Sequence, residues 1–250
     1  MICNQCKKEF DTARQYEWRS QIICEDCYID SLWAARPVCN PWEEYLSTRS
    51  ASEDEKNILK PRDRKNFEVL LQTAQSLGAT NAACILTSEI EISDALAALC
   101  KEPKCEHFGR SFRCPPNISG PTGFRKQIKS HTNAIVFKIT LPSDIMYSHH
   151  RIEIFKLLHE IGSSVEKKAK QMGYTNSKAY AAGSCKKLFC GQHLNCNVLS
   201  GDGECRNPDL ARQSMSGFGI NVKKLMETAN WDEDSETAEM KPACGMILIG

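Results

Sequence analysis

Apolar residues recur at three- and four-residue spacing from Asp63 onward, where Phe67, Leu70, Leu71, Ala74 and Leu77 mark one face of a helix that Gly78 stops. A longer helical stripe covers residues 152–172 through Ile154, Phe155, Leu158, Ile161, Val165 and Ala169. Ser93 is placed to cap a short helix over Ala95, Leu96 and Leu99, and residues 208–215 and 222–228 read as further short helices. Elsewhere the spacing changes to that of strands. Residues 82–86 predict a buried strand, 133–141 an alternating strand rich in branched side chains, and 177–182 a third strand ending at Gly183. Residues 246–249 are expected to close a sheet edge. Strands interspersed with helices predict a mixed α/β fold, an α+β sandwich, over residues 63–250.

Upstream the pattern loosens. Pro37, Pro41 and Pro61 break regular structure and residues 47–57 are nearly all polar, which predicts a linker over 36–62. Residues 1–35 carry Cys3-x2-Cys6, an interval of 17 residues, and Cys24-x2-Cys27. That is the two-knuckle spacing of a four-cysteine zinc site, because two residues between thiolates let one tight turn present both sulfurs to a single ion. The interval suits a short hairpin, with Phe10 and Trp18 as packing groups and Ile22-Ile23 leading into the second knuckle. A short helix is expected over 25–33. A segment this small buries little surface, so zinc would supply most of the folding free energy of a zinc-ribbon-like module.

Length and charge remove several classes. A chain of 250 residues supports one good-sized domain with a small satellite. Its 32 basic and 31 acidic residues leave a net charge of +1, which points neither to nucleic acid nor to an anionic membrane. The longest apolar run, residues 95–100, is far too short to span a bilayer. No secretory signal core precedes Cys3, so a cytoplasmic, reducing setting is expected. Fourteen cysteines in such a setting point to metal and not to disulfides.

Placement of the cysteines sharpens this. One group is Cys100-x4-Cys105-x8-Cys114, followed by Pro115-Pro116; the other is Cys185-x4-Cys190-x5-Cys196-x8-Cys205, with Pro208 close behind. Cysteine-rich loops leaving through cysteine and proline are a common way to wrap an iron–sulfur cubane, whose irons need thiolates from several directions. Zinc is the competing metal, but it favours paired CxxC knuckles, which neither group has. Arg110, Arg113, Lys186, Lys187 and Arg206 lie within or beside the two loops and would offset the negative charge of a thiolate-bound cluster. The first group has three cysteines. Its fourth ligand would come from Cys39, Cys84, Cys244, His107 or His193, or one iron stays open as a Lewis acid. His149, His150 and His159 lack ligand spacing and read as ordinary.

The stretch Cys105-x2-Phe108-Gly109-Arg110-x2-Arg113-Cys114-Pro115-Pro116 resembles the first signature of a family of cysteine-rich prokaryotic proteins that are predicted metal-binding and have no established reaction. Its second signature resembles Gly183-Ser184-Cys185, Cys205-Arg206-x-Pro208, Arg212-x-Ser214-Met215 and Gly219-Ile220-x-Val222. The likeness spans roughly residues 80–225 and implies iron–sulfur or other metal binding. The gaps of four and five between Cys185, Cys190 and Cys196 are wider than the family's usual ones, and the zinc knuckles lie outside the shared region.

Other chemistry finds no support. GxGxxG, Walker, HExxH and GxSxG motifs do not occur. The N-terminal module has a net acidic balance, which disfavours a phosphate backbone. The sequence therefore predicts zinc at Cys3, Cys6, Cys24 and Cys27, and one or two iron–sulfur clusters of the 4Fe-4S type. Cys185, Cys190, Cys196 and Cys205 are the preferred ligands; Cys100, Cys105 and Cys114 form a second site. The expected role is electron transfer or a reductive step with a partner protein or small molecule. The alternatives are Lewis-acid catalysis at an open iron and an all-zinc scaffold.

Overall fold

The computed structural model describes residues 1–5, 7–9, 15–18, 21–24, 61–102, 105–231 and 239–250. The chain divides into two units, Met1–Cys39 and Asn40–Gly250.

In the first unit β1 (Gln15–Trp18) and β2 (Gln21–Cys24) form an antiparallel hairpin, with Gln15 opposite Cys24 and Trp18 opposite Gln21. The chain after Cys3 turns back on itself. The Cys3 N–H donates to the Lys8 carbonyl at 2.9 Å, and the Lys7 N–H donates to the Cys3 carbonyl at 3.0 Å. The Asn4 N–H donates to the Ile22 carbonyl at 3.0 Å, so this turn lies beside the strand that ends in Cys24. Cys6, Cys27, the packing of Phe10 and Trp18, and the helix expected over 25–33 lie outside the described residues. So does the expected linker, apart from its last two residues, which belong to the helix that follows.

In the second unit the elements run α1 (Pro61–Ser76), β3 (Asn81–Leu86), α2 (Asp94–Ala98), α3 (Gly120–Ile128), β4 (Asn133–Pro142), α4 (Ser143–Tyr147) and α5 (Arg151–Gln171). They continue with β5 (Lys178–Ala181), α6 (Cys185–Cys190), α7 (Asn197–Ser200), β6 (Gln213–Ser214), a 3-10 turn (Met215–Phe218), α8 (Val222–Thr228) and β7 (Met240–Ile249). The five strands form one sheet in the order β3-β4-β7-β5-β6. The β3–β4, β4–β7 and β7–β5 pairs are antiparallel, and β5–β6 is parallel. The mixed α/β class expected from the sequence is observed.

Side-chain direction sets the layers. Successive residues of a strand point to opposite faces. On one face α1 and α5 pack against each other and on the sheet, burying Leu70, Leu71, Leu158, Ile161 and Val165. On the other, Tyr180 of β5 meets Phe124 of α3 at 5.2 Å and Phe218 at 5.3 Å between ring centroids. With both faces covered, β4 is buried along almost its whole length instead of alternating, a pattern normal for an interior strand.

Four expectations fail in instructive ways. Residues 246–249 were expected at a sheet edge, but they belong to β7, a ten-residue strand between β4 and β5. Residues 208–215 do not form a helix. The Ser214 N–H donates to the Arg113 carbonyl at 3.1 Å, the Arg212 N–H to His159 Nδ1 at 3.0 Å, and β6 pairs with β5. These tertiary partners take the donors that a helix would have used. The Ser93 cap holds, its Oγ accepting the Leu96 N–H at 3.4 Å, but α2 ends at Ala98 and leaves Leu99 55% exposed. The cysteine loop of residues 185–190 is a helix, with a cysteine at each end.

Candidate metal centre

The two cysteine loops meet beside the end of β5. Gly183 turns the chain out of β5 at φ +91°, packed so that a Cβ would lie 3.0 Å from Phe155. Ser184 then enters α6. In the other loop the Gly109 N–H donates to the Pro115 carbonyl at 2.8 Å, closing the segment that carries Ser111 and Cys114. Gly217 lets the 3-10 turn lie against that segment, since a Cβ there would come within 2.7 Å of Pro115.

Cys185, Cys190, Cys196 and Cys205 all line one narrow cavity of about 20 Å³, shared with the apolar Phe189 and Ala211 and the polar Ser111 and Asn207. The thiols are not alike. Burial raises the Cys185 thiol to about 12, opposed by a hydrogen bond with Ser111 and raised further by Cys114 and Cys205. Burial also pushes Cys196 upward, but the backbone N–H groups of Phe112, Leu199 and Val198, with Arg206, outweigh it and hold this thiol below its ordinary range. The Asn207 amide donates to Cys190 Sγ at 3.4 Å. Amide donors aimed at sulfur are what a thiolate ligand needs to be stable away from water.

The first loop's cysteines are within electrostatic reach of one another. Burial raises Cys100, and Cys105 and Cys114 raise it further. Burial also raises Cys114, against hydrogen bonds with Ser184 and Ser111. The loops are linked directly: the Ser111 Oγ lies 3.0 Å from Cys185 Sγ, and Cys114 Sγ donates to Ser184 Oγ at 3.4 Å. The sequence treats the two groups as separate sites; in the fold they adjoin. The cysteines of both groups form no disulfide among the described residues. Nor do three His, Cys, Asp or Glu side chains there converge closely enough to hold a single metal ion.

The candidate fourth ligands separate by environment. Cys84 on β3 and Cys244 on β7 sit in the sheet core, where burial raises both thiols, Cys244 to about 12. That is the setting of inert core cysteines. Cys39 lies outside the described residues. His107 and His193 line an open polar cleft with Glu106, Lys186 and Lys187, and His107 Nε2 lies 3.1 Å from Glu106. Burial lowers the His107 imidazole below its usual range, against the pull of Glu106. Ser111, Ser184 and Asn207 escaped the sequence reading as site residues. Each stands next to, or a few positions from, a cysteine, but serine and asparagine in a loop carry no spacing signal of their own.

His159, which reads as ordinary in the sequence, anchors the chain leaving the second loop. It is fully buried, and its Nδ1 accepts the Arg212 N–H. Arg212 Nε in turn donates to Glu166 at 2.9 Å, and Glu166 also accepts from the Ala179 N–H at 2.9 Å and Lys170 at 2.5 Å. Burial lowers the imidazole to about 4. A histidine depressed in the folded state binds its proton more readily when unfolded, so its neutral form stabilises the fold fully above the unfolded value. That contribution falls as pH drops from about 6.5 toward 4, by about 3 kcal/mol. In urea unfolding, His159→Asn, which keeps an acceptor for Arg212, should lose markedly less stability than wild type over this interval; parallel curves would refute the assignment.

These features fall within a recognised family. Residues 83–249 match the family model described as predicted metal-binding protein (DUF2284), and the chain belongs to that family. No curated protein and no solved structure matches it. Among the described residues no helix is long and apolar enough to cross a membrane.

Proposed function

We propose that this metal-binding protein holds an iron–sulfur cluster on Cys185, Cys190, Cys196 and Cys205. Cys100, Cys105 and Cys114 serve a second, adjoining site, and Cys3, Cys6, Cys24 and Cys27 bind zinc. The observation that carries the reading is the one cavity lined by all four cysteines of the second group, with the Asn207 amide donating to Cys190 Sγ. Thiolates spread around a shared cavity suit a body with several irons better than one ion, which would draw its donors to a point. The cavity is narrow, so seating a cubane requires its outer wall to move outward. The segments joining these cysteines, residues 191–195 and 201–204, lie outside the cavity lining and are exposed.

Such a cluster supplies one-electron chemistry at a potential set by its charge, hydrogen bonds and burial. The protein's part is to keep the thiolates dry and to steady them with Ser111, Asn207 and backbone amides. The functional reading is electron transfer or a reductive step, with a partner protein or small molecule as the other participant. Lewis-acid catalysis is the second reading. It is favoured by the polar cleft of about 530 Å³ that His107 and Lys187 line two residues along the chain from the exposed Cys105.

Anaerobic purification followed by iron, acid-labile sulfide and zinc analysis tests this. Iron and sulfide in equal amounts, about four of each per filled cluster, with a visible charge-transfer band, are expected. Colourless protein containing zinc alone would instead identify an all-zinc scaffold.

A further inference from the structure

A second cavity lies beside the cysteine loops, and the site described above does not use it. It has a volume of about 370 Å³, within the roughly 300–1,000 Å³ range of small-molecule sites. Its charged lining is one-sided: Arg113, Lys170, Lys178 and Arg212 face it, against the single carboxylate of Glu166. Glu166 is already engaged by Lys170, Arg212 and the Ala179 N–H. Among the described residues Arg113 and Lys178 form no ion pair, and the buried Nε of Arg113 has no hydrogen-bond acceptor. The buried Oε1 of Gln213, on the same wall, has no donor.

Bringing four cations together is costly. Burial pulls Lys178 below the usual lysine range, and the charges of Arg113 and Lys170 lower it further, against Glu166. Glu166 is the one carboxylate lining the cavity, and it is already paired with Lys170 and Arg212. A dianion in the cavity would relieve this repulsion and give the guanidinium of Arg113 the planar, two-point partner it is shaped for.

We propose that this cavity is a binding site for a small metabolite bearing a doubly charged oxyanion, a phosphate ester or a dicarboxylate. Arg113 is its principal anchor and Lys178 its second. Gln213 hydrogen-bonds a neutral polar group of the same molecule. Arg113 immediately precedes Cys114, so a ligand held here lies against the cysteine loops. The binding itself does not depend on which metal those loops carry.

The test is calorimetric titration of the full chain, in a chloride buffer of low ionic strength, with inorganic phosphate and with succinate. One of the two should bind saturably at one site per chain. Arg113→Gln should weaken that binding about tenfold or more, and Lys178→Gln should weaken it as well. Tighter phosphate binding assigns a phosphate ester; tighter succinate binding assigns a dicarboxylate. Should Arg113→Gln fail to fold, Lys178→Gln, on β5 and outside both cysteine loops, still decides. No saturable binding of either probe, or unchanged affinity in the variants, overturns the proposal. Because the readout is binding and not metal content, neither result bears on the iron–sulfur reading.

Discussion

Cys196→Ala is expected to strip the protein of the cluster at the four-cysteine cavity. Iron and acid-labile sulfide should fall about tenfold if that is the only filled site, and by half if both are. Cys196 is the informative choice because its surroundings hold its thiol below the ordinary range. Three backbone N–H groups and Arg206 favour its thiolate, whereas burial alone would disfavour it. Those donors have no evident role around a neutral thiol in a loop. Cys84→Ala and Cys244→Ala are the controls: both remove buried sulfurs, but from the sheet core, where burial keeps the thiols protonated. They should cost stability and leave the metal content per folded molecule unchanged. Equal iron in Cys196→Ala and in wild type would remove Cys196 from the ligand set. Iron lost equally from all three variants would show that the readout follows folding alone.

The contrast between Cys196 and Cys84 also marks how far the sequence can be read. Spacing identified the two cysteine groups and set Cys84 and Cys244 apart from them, because covalent neighbours are fixed by the chain. It could not show that the groups adjoin, since that contact passes through Ser111 and Ser184, more than 70 residues apart. The helices α1, α5 and α8 and the strands β3 and β5 were legible from period, cap and stop residues. Where the backbone's partners are tertiary, the reading failed. The stretch 208–215 has helical composition but gives its N–H groups to Arg113 and His159. The end of the chain looked like an edge because only 246–249 are continuously apolar, whereas the Met240–Gly245 half of β7 includes Lys241, Pro242 and the close packing of Gly245 on Phe137. Helix α3 was missed because Pro121 and two glycines hide it, although proline near the first turn is a permitted start.

Phe218→Ala should be strongly destabilising to the main unit, and its cost should reach the metal centre. Phe218 is 1% exposed. Its ring lies edge-on to Tyr180 at 5.3 Å and tilted against Phe124 at 5.1 Å, so it locks the sheet, α3 and the 3-10 turn together. Removing a buried phenyl group costs about 3–5 kcal/mol, against a total stability of roughly 5–15 kcal/mol for a domain. For a unit of this size the midpoint of thermal unfolding should fall by roughly 10 °C. Phe218→Leu, which refills much of the void, should recover more than half of the loss. The turn that carries Phe218 also carries Gly217, which packs on Pro115 next to Cys114. A cavity here therefore loosens the support of the first cysteine loop. Metal release by a chelator should accordingly be faster in Phe218→Ala than in Phe218→Leu at a temperature where both remain folded. A loss below about 1 kcal/mol would mean that the aromatic trio repacks freely and does not brace the loop.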